Sequence, residues 1–334
     1  MQIEKLKKNN YKIFSDYIKK NFKKNHIFSK SKKVFDWQYL SEKYYNLYIL
    51  KKDRKIKAIQ GYIPTNFYDN KLKKDSVFLS LWSSSKAIAG SKLYFKFFKK
   101  EKYNLVAGLG SSNQSFAFQK MLNFNCGNLE HFFLTSNKLS KKLVYPKKFS
   151  NFKNSKSKIN YEKLNSEKEI LRVNKKIFNY QIPQKSPRYL INRYLKHPFY
   201  KYDIYSIKKN LKIIAIFVFR ICNYKKNSAI RIIDFIGSNS SFPSGKYLFK
   251  YLLKKNLSEY IDIYSYGIPK KYLKSSDLEN VENYKKKKLI IPNYYEPFIK
   301  KNIKLPYEYK LKKKTNKNIR FFKGDSDLDR LNIL

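Results

Sequence analysis

Residues 76–124 read SVFLSLWSSS KAIAGSKLYFKFFKK EKYNLVAGLG SSNQSFAFQKMLNF, and the order of elements in this stretch decides the fold. Ser76 to Trp82 is strand-like, Ser83-Ser84-Ser85 breaks it, and Leu93 to Lys100 reads as a helix with Gly90 near its start. Tyr103 to Ala107 is a short buried strand ending at Gly108-Leu109-Gly110. Ser111, Ser112 and Asn113 can cap a helix from Gln114 to Leu122, because their side-chain oxygens accept from its free backbone N–H groups. Strand, loop, helix, strand, loop, helix is an alternating α/β unit. Its first loop opens a helix at Ala89-Gly90-Ser91-Lys92-Leu93, where unpaired N–H groups and the helix dipole favour an anion such as phosphate. An ordinary βα turn, with a glycine for tight packing, accounts for the same residues.

Working outward, Tyr11 to Phe22 has helical apolar spacing, and Tyr45 to Leu50 with Ile56 to Ile63 forms a hairpin around Lys51 to Lys55. His131 to Leu134 is the last strand of the first half. Residues 141–165, rich in Lys, Asn and Ser, read as a linker. The second half repeats the alternation, with a helix at Arg188 to Leu195 and strands at Tyr202 to Ile207, Lys212 to Cys222 and Ala229 to Ile236. The loop Gly237 to Gly245, a helix at Lys246 to Lys254 and a strand at Ile261 to Tyr264 complete it. Pro243 removes an N–H from that loop, which favours a plain connector over a second phosphate cradle. The predicted fold class is therefore α/β (α+β), in two modules spanning 1–140 and 166–334.

The chain has 334 residues with 42% hydrophobic and 17% aromatic content, which excludes a disordered protein. Its longest apolar run near a strand centre, Ile213 to Phe219, is far below the ~20 residues of a membrane span. Met1 to Lys8 goes straight into charge, unlike a secretory signal. Cys126 and Cys222 provide neither a disulfide framework nor a CxxC metal site, so a reducing, cytoplasmic setting and no metal are expected. The net charge of +50 would ordinarily indicate nucleic acid or an anionic membrane surface. Yet the lysines are spread along the whole chain, in a composition dominated by Lys, Asn, Ile, Tyr and Phe. That pattern favours a solvated surface over a nucleic-acid groove and leaves peripheral membrane contact open.

The strand–helix pair ending in Ala117-Phe118-Gln119-Lys120-Met121-Leu122-Asn123-Phe124 resembles the GNAT-type N-acyltransferase superfamily, over about residues 1–135 and more weakly over 166–334. The resemblance implies each module is a mixed, mostly antiparallel twisted sheet flanked by helices. It implies a coenzyme A pyrophosphate held by Ser84, Ser85, Lys86, Ala89, Gly90 and Ser91, and pantetheine paired with Leu79 to Trp82, including Leu81. Asn113 and Phe118 would lie beside the thioester of acetyl-coenzyme A or another acyl-coenzyme A. The sequence departs from the family pattern in three places. Of the loop signature only Gly90 matches, Phe118 lacks the hydroxyl that would protonate a leaving thiolate, and Asn123 replaces the usual glycine.

Transfer to an amine needs a base, and Glu130 or His131 is the candidate, the alternative being a sheet-edge pair. His26, Asp36 and Trp37 lie where the superfamily's acceptor-binding helices lie. Rings and a carboxylate suit a sugar, and burial as a core anchor explains them equally well. Asp234, on a second-half strand, joins them as a substrate-binding candidate. The tail Gly324-Asp325-Ser326-Asp327-Leu328-Asp329-Arg330 has no Glu at the twelfth position, which excludes a calcium loop. Its pattern is similar to the ending of acyltransferase-like proteins from bacterial surface-polysaccharide clusters. Three carboxylates ending so basic a chain dock onto a basic surface or bind a cationic acceptor. The expectation is an acyl-coenzyme A-dependent N-acyltransferase acting on a nucleotide- or lipid-linked amino sugar. Two rivals stand: a Fem-type enzyme drawing its acyl group from a charged tRNA, and a non-catalytic RNA- or membrane-surface-binding protein.

Overall fold

The structure, a computed structural model, describes every residue except 54, 139–140, 154–159, 296 and 333–334. It divides into two compact units, one of residues 1–127, 306–314 and 326–334, the other of residues 128–305 and 315–325.

The first unit opens with β1 (Gln2–Lys7), α1 (Tyr11–Asn21) and α2 (Lys32–Tyr39). Phe14, Tyr17 and Ile18 of α1 recur at helical spacing, so one face is buried. Ser31 caps α2 by accepting from the Val34 N–H at 3.3 Å. The hairpin of β2 (Tyr44–Lys52) and β3 (Lys55–Pro64) follows as the sequence predicts. Next come β4 (Ser76–Ser84), α3 (Ala87–Lys100), β5 (Leu105–Leu109), α4 (Asn113–Met121) and β6 (Asn125–Asn128). Helix α3 starts at Ala87 rather than Leu93, and it packs Leu93 and Phe97 onto Leu50, Ala58, Val77 and Val106. Ser112 caps α4 by accepting from the Ser115 N–H, as expected.

The second unit contains β7 (Glu130–Thr135), β8 (Asn160–Leu164), β9 (Asp203–Lys209), β10 (Lys212–Tyr224), β11 (Asn227–Gly237), α5 (Lys246–Lys255) and β12 (Tyr260–Tyr266). The chain then returns to the first sheet as β13 (Pro306–Leu311).

The first sheet has the order β1-β2-β3-β4-β5-β13-β6, and β4 with β5 is its parallel pair. The second has the order β7-β12-β11-β10-β9-β8, and there β11 with β12 is parallel. Each unit thus repeats hairpin, strand, helix and parallel strand within a mostly antiparallel sheet. Among the described residues, no helix is long and apolar enough to cross a membrane.

Two expectations are corrected. The first half does not end at residue 140: the strand at His131 to Leu134 pairs with β12 in the second sheet. Nor are residues 141–165 a linker, because Leu143 and Val144 are buried in the second unit's core. There the Glu259 carboxylate accepts from the N–H groups of Lys142, Leu143 and Val144 at 2.7, 2.8 and 3.2 Å. Asn160–Leu164 also pairs with β9, whereas residues 139–140 and 154–159 lie outside the described set. Two apolar residues among lysines were too weak a local signal. Far along the chain, Tyr307 to Leu311 of β13 pairs with β5 from Tyr307–Leu109 to Leu311–Leu105.

Candidate functional site

Strands β4 and β5 pair only from Ser76–Leu105 to Leu79–Gly108, and beyond that point they part. Across β4, the register with β3 shifts between Ile59–Ser83 and Gly61–Ser80, so β4 carries a bulge, and Leu81 within it has φ 44°. The result is a cleft of about 190 Å³. Leu79 to Trp82 line one side and Leu109 to Ser112 the other, with Tyr94 of α3 and Gln119 of α4 above.

Val77 and Leu79 belong to the core beneath α3, while Ser80 points to the opposite face and accepts from the Tyr39 hydroxyl of α2 at 2.9 Å. On the α3 side, five polar atoms on or beside the cleft are buried without a hydrogen-bond partner: Gln60 Oε1, Trp82 Nε1, Tyr94 Oη, Gln119 Oε1 and Glu308 Oε2. Buried polar atoms are nearly always paired, so five around one cleft mark a place built for a polar ligand. The Gln60 amide donates to Gly61 O and Ser80 O, which leaves its oxygen as an acceptor. Gln119 donates to Glu308 Oε1 at 2.8 Å and likewise offers its oxygen.

The first turn of α3 packs beside Trp82 and Ser84 of β4. A Cβ on Gly90 would lie 2.7 Å from Ser84 Oγ and 3.4 Å from Trp82 Nε1, so a side chain there would require the Ser84 hydroxyl to turn aside. Of the predicted cofactor residues, Leu81 and Trp82 line the cleft, whereas Ser84 and Gly90, which lie side by side, are not among its lining residues. The Ser85 hydroxyl and the Ser91 hydroxyl are turned back onto Lys57 O and Ala87 O. Phe118 packs tilted against Trp82 and edge-on to Tyr94, with centroids 5.1 and 5.2 Å away, as part of an aromatic wall. Lys86 precedes α3 as its N-cap and Ala89 is buried in the helix, whereas Asn113 is an exposed first residue of α4 outside the cleft lining.

Sequence reasoning missed Glu308. It sits opposite Gly108 in the β5–β13 register, fully buried, and its Oε1 also accepts from the Ser111 hydroxyl. Burial pushes its pKa up, partly opposed by Ser111 and Gln119. The available signal was the alternation Tyr307-Glu308-Tyr309-Lys310, a strand pattern with an acid on one face. Phe22, Asp327 and Arg330 also line the cleft, the last two as an ion pair at 2.5 Å.

The remaining candidates lie elsewhere. Glu130 and His131 are in the second unit, where Glu130 pairs with Lys270 at 2.8 Å. His131 meets Asp262 at 2.9 Å and stacks on Tyr264 with centroids 4.0 Å apart. Burial lowers the His131 pKa, against the pull of Asp262. Asp36 pairs with Lys32 and accepts from Tyr45 Oη at 2.6 Å, and the Trp37 ring lies 5.9 Å from Tyr68. His26 is 4% exposed, accepts from the Phe28 N–H and starts a helical turn. Burial, then Arg330 and Lys23, push its pKa down to about 3. These three anchor the helices rather than line the cleft. Asp234 is corrected as a substrate-binding residue. It is fully buried, accepting from Lys185 Nζ and Tyr194 Oη at 2.7 Å.

The second unit has the same parting of parallel strands, but its gap is filled. Strands β11 and β12 pair only from Ile230–Ile261 to Ile232–Ile263, and the β10–β11 register also shifts, leaving Ile233 bulged. Ile233 O accepts from the Gly324 N–H at 2.9 Å, and Phe321 and Phe322 pair with Tyr266 and Ser265. Arg193 donates to Gly324 O at 3.0 Å and Asp325 meets the buried Lys185 at 2.9 Å. One of the three tail carboxylates therefore docks onto a buried cation.

Solved structures share this architecture. An Enterococcus faecalis protein assigned to the N-acyltransferases superposes with TM-score 0.52 at 11% identity, over 78% of this chain and 64% of its own. A GCN5-related N-acetyltransferase from Anabaena variabilis gives 0.51 at 10% identity, over the same shares. The chain spans just under two thirds of both. A Pyrococcus horikoshii protein assigned to the acetyltransferases gives 0.50 at 8% identity, over 95% of this chain and 92% of its own. No family model matches the sequence, and no curated protein matches it significantly. The fold is that of the GCN5-related N-acetyltransferases, in two tandem modules.

Proposed function

We propose that the chain is an acyl-coenzyme A-dependent N-acyltransferase that holds its acyl donor in the first unit's cleft. The observation carrying this reading is the open parting of β4 and β5 with five buried, unpartnered polar atoms around it. Pantetheine carries amide N–H and C=O groups. Gln60 and Gln119 offer oxygens to the former, and Trp82 Nε1 and Tyr94 Oη offer donors to the latter. The first turn of α3, with Ser84, Ser85, Lys86, Ala89, Gly90 and Ser91, suits the pyrophosphate. The donor supplies an activated acyl carbonyl, and the bulge at Leu81 frees backbone N–H groups that can polarise it. In the second unit the matching gap holds residues 321–325, which supports one donor site per chain.

The acyl group in this reading is acetyl, and the acceptor is a nucleotide- or lipid-linked amino sugar. Support comes from the cleft lining, where Asp327 suits an ammonium, Arg330 a phosphate, and Phe22 the apolar face of a ring. The net charge of +50 draws in anionic substrates. Thermal melting at ~150 mM salt, with acetyl-coenzyme A against ATP as polyanion control, tests the donor site. Ligand at ~100 times its dissociation constant adds about 2.7 kcal/mol. Stabilisation by acetyl-coenzyme A alone, at one molecule per chain by calorimetry, is expected. Equal stabilisation by both ligands would refute it and favour a polyanion-binding protein.

A further inference from the structure

We propose that Ser111 and Glu308 form the proton relay to the leaving sulfur in the first unit's cleft, an inference that rests on reading that cleft as an acyl-coenzyme A site. Ser111 lines the cleft and its hydroxyl hydrogen-bonds Glu308 Oε1, donating to the ionised carboxylate and accepting the carboxyl proton when Glu308 is protonated. Glu308 lies behind it on β13, in the space that the absent side chain of Gly108 leaves: a Cβ there would come within 2.4 Å of Oε1. Gln119 clamps the same oxygen at 2.8 Å, while Oε2 is buried with no partner. A carboxyl held this way is poised to exchange a proton with Ser111.

Its surroundings keep that proton available. The groups facing Glu308 are Tyr94 from α3 and Cys126 from β6, whose own pKa values burial raises, so both are neutral at pH 7. No cation pairs with Glu308 among the described residues; Lys310 of its own strand donates to Leu122 O, and Arg330 pairs with Asp327. Burial without a counter-charge holds the carboxyl protonated to higher pH than usual. Phe118 offers no hydroxyl, so the aromatic wall supplies a proton donor only through Tyr94.

The step balances as follows. The acceptor nitrogen's lone pair forms the C–N bond while the carbonyl π pair moves to oxygen. As that pair returns, the C–S bonding pair leaves with sulfur. Sulfur takes the Ser111 hydroxyl proton, and Ser111 takes the proton of Glu308. Glu308 is reprotonated through Ser111 from water in the emptied cleft, which also receives the nitrogen's surplus proton.

The test uses the full chain, acetyl-coenzyme A and hydroxylamine, a nucleophile largely unprotonated at neutral pH, so that no base is needed for attack. Hydroxamate and free thiol are followed together. Glu308→Gln and Ser111→Ala are each expected to lower kcat about 100-fold, well beyond any loss of acetyl-coenzyme A affinity measured by calorimetry, and Glu308→Asp to recover part of the loss. The wild-type rate falls as pH rises through the titration of Glu308, and the Glu308→Gln profile is flat there. Wild-type kcat and pH profile in Glu308→Gln, or loss of turnover in Tyr94→Phe alone, would overturn the relay. So would a wild type that binds acetyl-coenzyme A yet forms no hydroxamate. Failure to bind acetyl-coenzyme A at all would instead overturn the reading of the cleft, and the relay with it.

Discussion

Gly108→Ala is the sharpest structural perturbation this molecule offers. The new methyl would lie 2.4 Å from Glu308 Oε1 and 3.1 Å from its Cδ, too close for both to keep their places. Glu308 is fully buried, so its carboxyl has no solvent-side position to swing into. Moving it breaks the bonds from Ser111 and Gln119, each worth about 1–1.5 kcal/mol when buried and satisfied. Replacing glycine within a strand returns about 0.5–1 kcal/mol of conformational entropy. The net expected cost is about 1–3 kcal/mol in urea unfolding. A double-mutant cycle isolates the cause. In a Glu308→Ala background the obstacle is gone, so Gly108→Ala becomes neutral or stabilising, with a coupling of about 2 kcal/mol. Equal cost in both backgrounds, or no cost in the wild type, would refute the account of why Gly108 is a glycine.

Three further outcomes are expected. Gly90→Asp places a carboxylate against Ser84 and Trp82 and should abolish stabilisation by acetyl-coenzyme A while leaving the far-ultraviolet spectrum intact; unchanged affinity by calorimetry would remove the pyrophosphate from the first turn of α3. Lys185→Met strips the counter-charge from Asp234 and Asp325, both fully buried, and should cost about 3–5 kcal/mol in the unfolding free energy; a cost below 1 kcal/mol would show that the ion network is dispensable. Burial raises the pKa of Glu101, but Lys74, Lys5 and the Tyr48 hydroxyl outweigh it and hold it down at about 2. The folded state therefore binds its proton less readily than the unfolded chain, and the stabilisation, complete above the ordinary 4.5, is lost as pH falls toward 2. Wild type should lose on the order of 1 kcal/mol relative to Glu101→Gln between pH 6 and 3, the exposed lysine partners limiting the effect. Parallel pH dependences for the two proteins would contradict this.

Much of the cleft was legible in the sequence because its walls are local. Strand, small-residue loop, helix and capped second helix follow one another over residues 76–124, and each announces itself by period, glycine or cap. The resemblance carried by those elements then singled out Leu81 and Trp82, which line the cleft. The histidines, Asp36 and Asp234 were not separable from core residues by type alone. A His, Asp or Trp satisfied by neighbours far along the chain has the same one-letter code as a ligand-binding one. His26 caps a helical turn, and Asp234 neutralises a buried lysine 49 residues away.

The sequence by itself determined the element types and the twofold repetition of the α/β pattern. These follow from side-chain periodicity, glycine conformation and capping, all of which act over a few residues. Only the tertiary structure decided which strands are neighbours. Strand β13 pairs with β5 some 200 residues earlier and brings Glu308 beneath Ser111, 197 residues away. The tail pattern likewise divides, Gly324 and Asp325 filling the second unit's gap and Asp327 and Arg330 lining the first unit's cleft. The physical reason is that alternation encodes which face of a strand is buried, whereas the backbone hydrogen bonds that join strands are the same for every residue. Partner choice therefore rests on the summed burial of distant apolar faces, which no local stretch of the chain contains.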